Sequence, residues 1–385
     1  MEELQAPPTP SGPVVNAEDP RILTMTALGR LGRFGNQIFQ YAFLKICART
    51  SGAQVQTEPW FGQLLFGHTD PPVSVSLEPL VETGSNMESI LDVVPEFLPY
   101  LEKATGRKPG NIGVDAMTNG VRSGDVIGFF QWHTSAYRPH QEYFRSLFQP
   151  CDDMRPWIDE PITEMRKRGK TIVTLHLRTG DYNWLPQFSW TLMPPLEWWA
   201  EWLRSVWKDL DEPILYLCSN NVGAVRPFFR EFNPVTSDDF PTKPPARLKG
   251  IPIGFYRDFY VMTQADVVAA SNSSFSFGAA MLNERAAKFV RPTWNFDTKF
   301  TEFDPWDADP LLFLSGSDRL MLKGYRRMLQ VARRTHGMKG ALASALLYHP
   351  GGTAIVLGIR LKLAFNGRGW KGIRDLVLRR NRLSY

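Results

Sequence analysis

A strand-like run of residues ends in a fixed positive charge and a tight turn. The stretch TIVTLHLRTGDYNW, residues 171–184, alternates β-prone side chains and then gives His176, Arg178 and the pair Gly180-Asp181. In α/β sheets, ligands bind outside the carboxyl ends of the strands. A guanidinium at such an end presents a fork of donors that matches phosphate oxygens. The stretch therefore predicts an anion site, although a structural pairing of Arg178 with Asp181 beside a buried histidine explains it equally well.

A glycine-rich stretch near the beginning of the chain holds a second set of candidate binding residues. In GRLGRFGNQ, Gly29, Gly32 and Gly35 recur every three residues, which differs from the GxGxxG dinucleotide fingerprint. Glycines before a helix still allow the backbone to approach a ligand closely at the helix N-terminus. On the glycines alone, a plain strand-to-helix turn is the simpler interpretation. The polar pair Asn36-Gln37, placed before an aromatic-rich helix, favours a binding role.

A stretch rich in serine and asparagine follows an apolar run later in the chain. In DFYVMTQADVVAASNSSFSFGAA, Ser273, Ser274 and Phe275 come between a predicted strand and a predicted helix. Hydroxyls and backbone N–H groups in that arrangement can hold a phosphate. Serine and asparagine are equally the preferred N-caps of helices. Asp258 precedes this cluster and could accept the N1–H and 2-amino protons of guanine.

The pattern of apolar runs predicts that strands alternate with helices around all three stretches. A short apolar run at 22–28, a helical pattern that Gly52 stops, and the run AQVQTEPW form a βαβ unit. Further strands are predicted at VIGFFQWHTSAY from Val126, at TIVTLHLR and at PILYLCSN, whereas residues 71–124 are predicted to be rich in loops. This alternation favours an α/β fold with parallel sheets.

Three motifs of the chain resemble those of the α-1,2-fucosyltransferases, glycosyltransferase family 11. They are GRFGNQIFQYA (32–42), HLRTGDY (176–182) and SNSSFSFGAA (271–280), and they stand in the order of the family. The resemblance covers roughly residues 25–296. The related α-1,6- and protein O-fucosyltransferases share the HxR strand and a DxxxLxQAD helix, to which DFYVMTQAD at 258–266 is similar.

The resemblance implies a glycosyltransferase B-type α/β fold, in which two Rossmann-like domains face a cleft. The acceptor-side domain would span residues 21–168 and the GDP-sugar-binding domain residues 169–318. A disordered leader at 1–20 and a basic, amphipathic helical tail at 319–385 would lie outside them.

The resemblance also implies roles for individual residues. Arg178 would grip the β-phosphate of GDP-fucose, His176 would support it from the same strand, and Asp258 would bind guanine. The other residues expected to bind substrate are Gly32, Gly35, Asn36, Gln37, Ser273, Ser274 and Phe275.

The chain departs from the family pattern at three points. Thr179 stands in place of the second arginine of HxRRGD, and Asn220-Asn221 stand in place of two carboxylates. SFSFGAAML lacks the usual double tryptophan. These differences bear on the choice of acceptor and of sugar.

The implied reaction is an inverting transfer of fucose from GDP-fucose to a hydroxyl of a glycan acceptor, with no metal or other cofactor. The sequence has no DxD motif on a strand-end loop, and DAD at 307–309 lies in an irregular late loop. An arginine and helix N-terminal N–H groups can stabilise the leaving diphosphate instead. Asp181, in the turn after Arg178, is a candidate general base, and Glu58, at the end of the second strand, is another.

Two other function classes compete with this interpretation. A nicotinamide-dependent oxidoreductase would have a similar sheet, but the GxGxxG fingerprint is missing. A non-catalytic or differently specific nucleotide-sugar-binding protein is compatible with Thr179 and with Asn220-Asn221. Scattered cysteines, three in all, argue against both a disulfide framework and a zinc cluster.

Charge is divided unequally along the chain. Residues 319–385 hold 15 Lys and Arg and one acidic residue, a net charge of +14, whereas the other 318 residues carry −9. The uncharged run at 340–359 is broken by HPGG, which argues against a single membrane-spanning helix. The arginine clusters on either side of this run suit anionic lipid headgroups.

The tail therefore predicts peripheral attachment to an anionic membrane surface on the cytoplasmic side, beside acceptors that would be lipid-linked. Solvated helices packed on the acidic body are the alternative, and nucleic-acid binding is not expected because no reading motif is present. The leader holds five prolines and no apolar run, so neither a signal peptide nor an N-terminal anchor is predicted there.

Overall fold

The computed structural model describes residues 20–84, 108–178, 196–292 and 300–312, together with single positions at 102 and 106 and scattered positions between 326 and 361. The described residues form two α/β units, each built on a five-stranded sheet. This confirms the prediction of two α/β domains with parallel sheets.

The first sheet is parallel throughout and has the strand order β2-β1-β5-β3-β4. Its strands are β1 (Ile22–Met25), β2 (Gln54–Thr57), β3 (Pro79–Glu82), β4 (Gly110–Ile112) and β5 (Gly124–Ile127).

The second sheet has the order β10-β9-β8-β6-β7, and only its edge strand β10 runs antiparallel to its neighbour. Its strands are β6 (Thr171–Leu177), β7 (Pro213–Ser219), β8 (Val267–Ala269), β9 (Lys288–Pro292) and β10 (Phe300–Glu302).

Ten α-helices, numbered in chain order, lie within the described residues. They are α1 (Phe34–Ser51), α2 (Phe61–Phe66), α3 (Ala116–Asn119), α4 (Gln141–Ser146), α5 (Arg155–Ile158), α6 (Glu160–Arg166), α7 (Leu196–Trp207), α8 (Val222–Val225), α9 (Phe255–Gln264) and α10 (Ser274–Leu282). Gly52 ends α1 as predicted, because it adopts the left-handed region at φ 66° and its N–H bonds the carbonyl of Ala48.

The stretch at 71–124 differs from its prediction. It was expected to be rich in loops, yet it contributes β3, β4 and α3. These elements are three or four residues long, which is too short for a hydrophobic period to show in the sequence. The strand predicted from Val126 is present, but it begins at Gly124.

One apolar core joins the two sheets' domains. Phe34, the first residue of α1, packs with its ring centroid 5.0 Å from that of Phe259 in α9 and 6.4 Å from that of Phe275 in α10. Phe277 of α10 lies 6.4 Å from Phe39 of α1 in the same way. Each such ring, if fully buried, contributes about 1.5–3 kcal/mol, so the contact fixes how the domains meet.

A segment after the second sheet returns to the first domain. We call residues 303–312 the strap. The backbone N–H of Thr134 donates to Ala308 O at 3.0 Å, and the N–H of Ala308 donates back to the Thr134 hydroxyl at 3.1 Å. At its end the side-chain amide of Asn272 exchanges two hydrogen bonds of 2.7 Å with the backbone of Leu312. The strap therefore ties the domains together on a second side.

Most of both ends of the chain lies outside the described residues, including the leader up to residue 19 and the greater part of the tail. In the part that the structure describes, no helix combines the length and the apolar composition needed to cross a bilayer.

Candidate functional site

Arg178 directly follows β6 at the carboxyl end of the second sheet. The strand TIVTLHL lies between β7 and β8 and is buried along almost its whole length. Within the strand the Thr174 hydroxyl donates to the carbonyl of Val267, and Arg178, just past its end, is half-buried. A guanidinium in this place is held by a buried strand inside the sheet, which suits a fixed role toward an anion.

His176 lies two residues earlier on the same strand and is 5% exposed. Its Nδ1 is 2.7 Å from the hydroxyl of Ser271, and its ring lies 5.3 Å from that of Phe275. Burial, and to a lesser extent the nearby charge of Arg178, lowers the pKa of His176 to about 3. The imidazole is therefore neutral at physiological pH.

The serine-rich stretch forms the N-terminus of α10. Ser273 is its N-cap, and the Ser273 hydroxyl accepts the N–H of Phe275 at 3.3 Å. The first turn of α10 contains no acidic residue. No carboxylate in that turn therefore neutralises the positive end of the helix dipole. This end of the helix lies near the end of β6, where His176 is placed.

The N-terminus of α1 meets the N-terminus of α10, and we call this contact the seam. A Cβ added to Gly35 would stand 2.4 Å from the backbone nitrogen of Phe275, so only glycine allows the approach. Oδ1 of Asn36 accepts from the Ser274 hydroxyl and from Nε2 of Gln131, each at 2.7 Å. The α1 first turn is also free of acidic residues, so two positive helix ends converge at the seam.

The other predicted residues of the glycine-rich stretch have different places. Gly32 has φ +77°, and a Cβ there would stand 2.1 Å from the side-chain nitrogen of Asn36. Gln37 is 2% exposed, and among the described residues its Oε1 has no hydrogen-bond partner. Gly32 and Gly35 thus serve close packing, and Asn36 bridges the domains.

Asp258 lies in the first turn of α9, beneath β7. Oδ1 accepts the hydroxyl proton of Tyr216 at 2.8 Å. Burial raises the pKa of Asp258 to about 7, and the charge of Asp238 acts in the same direction. The hydrogen bond from Tyr216 and the charge of Arg257 oppose that rise.

The two predicted general bases differ in what can be said of them. Glu58 follows β2 at the carboxyl end of the first sheet, where Oε2 lies 3.4 Å from a guanidinium nitrogen of Arg30. Asp181, like Thr179 and Gly180, lies outside the described residues. Within those residues, no group of three or more His, Cys, Asp or Glu side chains is placed to hold a metal ion.

Several residues at the site were not singled out from the sequence. Ser271 belongs to the SNSS motif but was passed over in favour of its neighbours. Gln131 holds Asn36 from a distant loop, and only a contact map could have revealed it. Arg257 is 4% exposed and donates to the carbonyls of Ser237 and Phe240, among others. It thereby fixes the loop beside Asp258.

No family model and no curated protein matches the chain. Among solved structures, the chain is similar to NodZ α-1,6-fucosyltransferase soaked with GDP-fucose, at 14% identity and a TM-score of 0.44, over 74% of this chain and 99% of that one. For fucosyltransferase NodZ from Bradyrhizobium the sequence identity is 14% and the TM-score 0.42, over 74% of this chain and 99% of that one. For a mutant of Arabidopsis thaliana FUT1 in complex with GDP the sequence identity is 11% and the TM-score 0.39, over 74% of this chain and 73% of that one. Values this low add no argument about activity.

Proposed function

We propose that the chain is a glycosyltransferase that moves fucose from GDP-fucose to a hydroxyl of a glycan acceptor. The observation that carries the proposal is the convergence at the seam. The ends of two helices that lack acidic first turns meet there, next to a strand end that carries His176 and Arg178. This arrangement supplies backbone N–H groups and a guanidinium to a diphosphate, the leaving group of a nucleotide sugar.

The chemistry follows from the charge that develops on the diphosphate. The bond between the anomeric carbon and the β-phosphate oxygen breaks, and its electron pair stays on the phosphate. Arg178 and the N–H groups of α10 stabilise that charge, each positioned donor being worth about 2.7–4 kcal/mol in the transition state. The acceptor hydroxyl forms the new bond from the opposite face, which inverts the anomeric centre, and its proton passes to a base.

The three motifs support the finer parts of the proposal. Their similarity to the α-1,2-fucosyltransferases favours transfer to a 2-hydroxyl, and the similarity of the DFYVMTQAD helix to that of related fucosyltransferases favours Asp258 as the residue that binds guanine. The base is Asp181 or Glu58. The donor arrangement needs no metal ion, since the guanidinium and the helix ends perform that role.

The test is incubation of the full chain with GDP-fucose and a panel of glycans ending in galactose, with mass spectrometry of the products. Release of GDP together with a fucosylated glycan is expected. Calorimetry with GDP and with NAD separates the rivals. GDP binding without turnover on any glycan would favour a non-catalytic nucleotide-sugar-binding protein, and binding of NAD in place of GDP would favour an oxidoreductase.

We further propose that the basic tail attaches the enzyme to an anionic membrane surface. The proposal rests on the net charge of +14 from residue 319 onward and on large apolar side chains that are exposed in the described part of the tail. These are Met338 (67% exposed), Leu342 (61%), Leu346 (55%), Leu357 (54%) and Leu361 (38%). The first three are spaced four residues apart, and so are the last two, and this spacing places each set on one side of a helix.

Flotation with vesicles that contain anionic lipid tests the attachment. The full chain should float with the vesicles at low salt, and Leu342→Glu combined with Leu346→Glu should reduce the floating fraction. Val114, which is 38% exposed on the first domain, offers a matched control, since Val114→Glu should float like the wild type. A wild-type chain that stays unbound would rule the attachment out, and equal flotation of all three would rule out Leu342 and Leu346 as its apolar contact.

A further inference from the structure

The hydroxyl of Ser271 and the imidazole of His176 form a buried pair behind the anion site. Ser271 follows β8, His176 lies near the end of β6, and Oγ and Nδ1 are 2.7 Å apart. Each residue is 5% exposed. Within the described residues, no other group bonds the Ser271 hydroxyl, and none bonds Nε2 of His176.

Counting hydrogen bonds decides which ring nitrogen carries the proton. A neutral imidazole has one N–H and one lone pair. If the proton were on Nδ1, it would donate to Ser271, and the buried hydroxyl proton would have no acceptor. If the proton is on Nε2, the hydroxyl donates to Nδ1, so both members of the buried pair are used and the Nε2–H is left for a ligand. An unmade buried hydrogen bond costs about 1–3 kcal/mol, so the second arrangement is favoured.

We propose that Ser271 is a positioning residue that holds His176 in the Nε2–H form, so that the ring offers a neutral hydrogen-bond donor to the diphosphate beside the cationic Arg178. The inference rests on the proposed function for the identity of the anion. With the proton on Nδ1, the ring would instead direct a lone pair at a negatively charged oxygen.

A neutral donor next to an arginine has a physical advantage. A second cation so close to Arg178 would be repelled by it, and burial would penalise its charge. The Nε2–H adds a directed hydrogen bond without that repulsion. The serine is therefore what converts a buried histidine into part of an anion site.

Nuclear magnetic resonance of the full chain labelled with ¹⁵N-histidine tests the tautomer directly. Long-range proton–nitrogen correlations distinguish the protonated nitrogen of each ring, and the signals of His176 are assigned by their loss in His176→Gln. We expect Nε2 to carry the proton between about pH 5 and pH 8 with no titration, and Ser271→Ala to give a mixture of tautomers. Ser271→Thr retains a hydroxyl and should restore the single form.

The chain supplies a matched control. Nδ1 of His133 lies 2.9 Å from the hydroxyl of Ser135, but this pair is on the surface, with 43% of the His133 side chain exposed. Ser135→Ala should leave the His176 signals and GDP binding unchanged.

Calorimetry with GDP gives the functional readout. Ser271→Ala should weaken GDP binding roughly tenfold, as expected for one hydrogen bond to a charged group, and Ser271→Thr should recover most of it. A wild-type His176 protonated on Nδ1 would overturn the inference, as would a tautomer and a GDP affinity that Ser271→Ala leaves unchanged. Absence of GDP binding in the wild type would instead remove the proposed function, and the tautomer measurement would stand.

Discussion

The two sheets present their carboxyl ends with opposite electrical character. At the end of β3 in the first sheet, Glu82 is 1% exposed and its Oε2 accepts the N–H of Phe129 at 2.7 Å. Burial raises the pKa of Glu82 to about 7, although hydrogen bonds from the backbone N–H groups of Phe130 and Phe129 act to lower it. At the end of β6 in the second sheet, burial acts on His176 and lowers its pKa to about 3.

Both shifts favour the neutral form of a buried group. The second sheet also ends in a cation, whereas the charges at the end of the first sheet include the pair Arg30 and Glu58, of opposite sign. Arg178 comes two residues after His176, and the N-terminus of α10 lies beside His176. The end of the first sheet carries buried amides and a carboxyl, with Gln37, Gln40, Gln131 and Glu82 each having one side-chain oxygen that no described residue bonds. Under the proposed function, this difference predicts that the diphosphate binds at the second domain and the hydroxyl-bearing acceptor at the first.

Replacement of Arg178 should produce the largest effect. Arg178→Lys keeps the charge but loses the forked geometry, so kcat/KM with GDP-fucose should fall by about 10²–10³-fold. Arg204 is a matched control, because its guanidinium pairs with Glu231 on the surface. Arg204→Lys should retain near-native turnover. Near-native turnover of Arg178→Lys would refute the forked contact.

Replacement of Glu82 probes the other end of the comparison. Its pKa is raised on folding from 4.5 to about 7, so the stability it contributes is present below about pH 4.5 and is lost as pH rises through 7. Glu82→Gln cannot ionise. Urea unfolding should therefore show its stability relative to wild type increasing by about 3 kcal/mol from acid to pH 8.

A surface carboxylate controls for the general effect of losing a charge. Glu231→Gln removes a carboxylate whose side chain is 43% exposed, and it is the variant to compare with Glu82→Gln at each pH. A difference between Glu82→Gln and wild type that does not vary with pH would show that Glu82 is not buried as described.

The seam between the N-termini of α1 and α10 joins the two domains, and substitution of Gly35 tests this contact. Gly35→Ala places a methyl 2.4 Å from the backbone nitrogen of Phe275, so one helix must move. We expect a loss of about 1–3 kcal/mol in stability and a higher KM for GDP-fucose. Gly223 in α8 has open space around it, and Gly223→Ala should be neutral or slightly stabilising. Equal behaviour of the two variants in unfolding and kinetics would contradict the close approach.

Asp258 should give the smallest effect, one seen as a pH dependence. An ionised carboxylate is needed to accept two protons from guanine, and its pKa is about 7. GDP affinity should therefore fall about tenfold for each pH unit below 7. The GDP phosphate titrates in a similar range, so Asp258→Asn serves as the reference.

Asp258→Asn should bind GDP more weakly at high pH, prefer GDP over ADP less strongly, and lose this part of the pH dependence. Calorimetry with both nucleotides across pH measures all three. Identical pH profiles for the variant and the wild type would exclude Asp258 from base recognition.

The sequence predicted the second domain better than the first for a physical reason. β6 and β7 are seven residues long, so their apolar runs are long enough to be recognised as strands in the sequence. β4 has three residues and is specified by its neighbours in the sheet. Arg178 could be placed from the strand that it ends. Gln131 and Ser271 could not, because their roles depend on partners about a hundred residues away.

The glycine-rich stretch shows a different limit. Its spacing predicted that the backbone would approach a ligand closely. In the structure the approach at Gly35 is to the backbone of α10, and Asn36 bonds Ser274 and Gln131. The glycines leave room for a close neighbour, but only the fold shows that this neighbour is the backbone of α10.

The measurement that tests the central claim most directly is calorimetric titration of GDP, in excess EDTA, into wild type, Arg178→Lys and Glu82→Gln. The charged end of the second sheet should bind the diphosphate without metal. Wild type and Glu82→Gln should therefore bind alike, and Arg178→Lys should bind at least about tenfold more weakly. Equal affinity in all three, or binding that requires added Mg²⁺ or Mn²⁺, would contradict the claim.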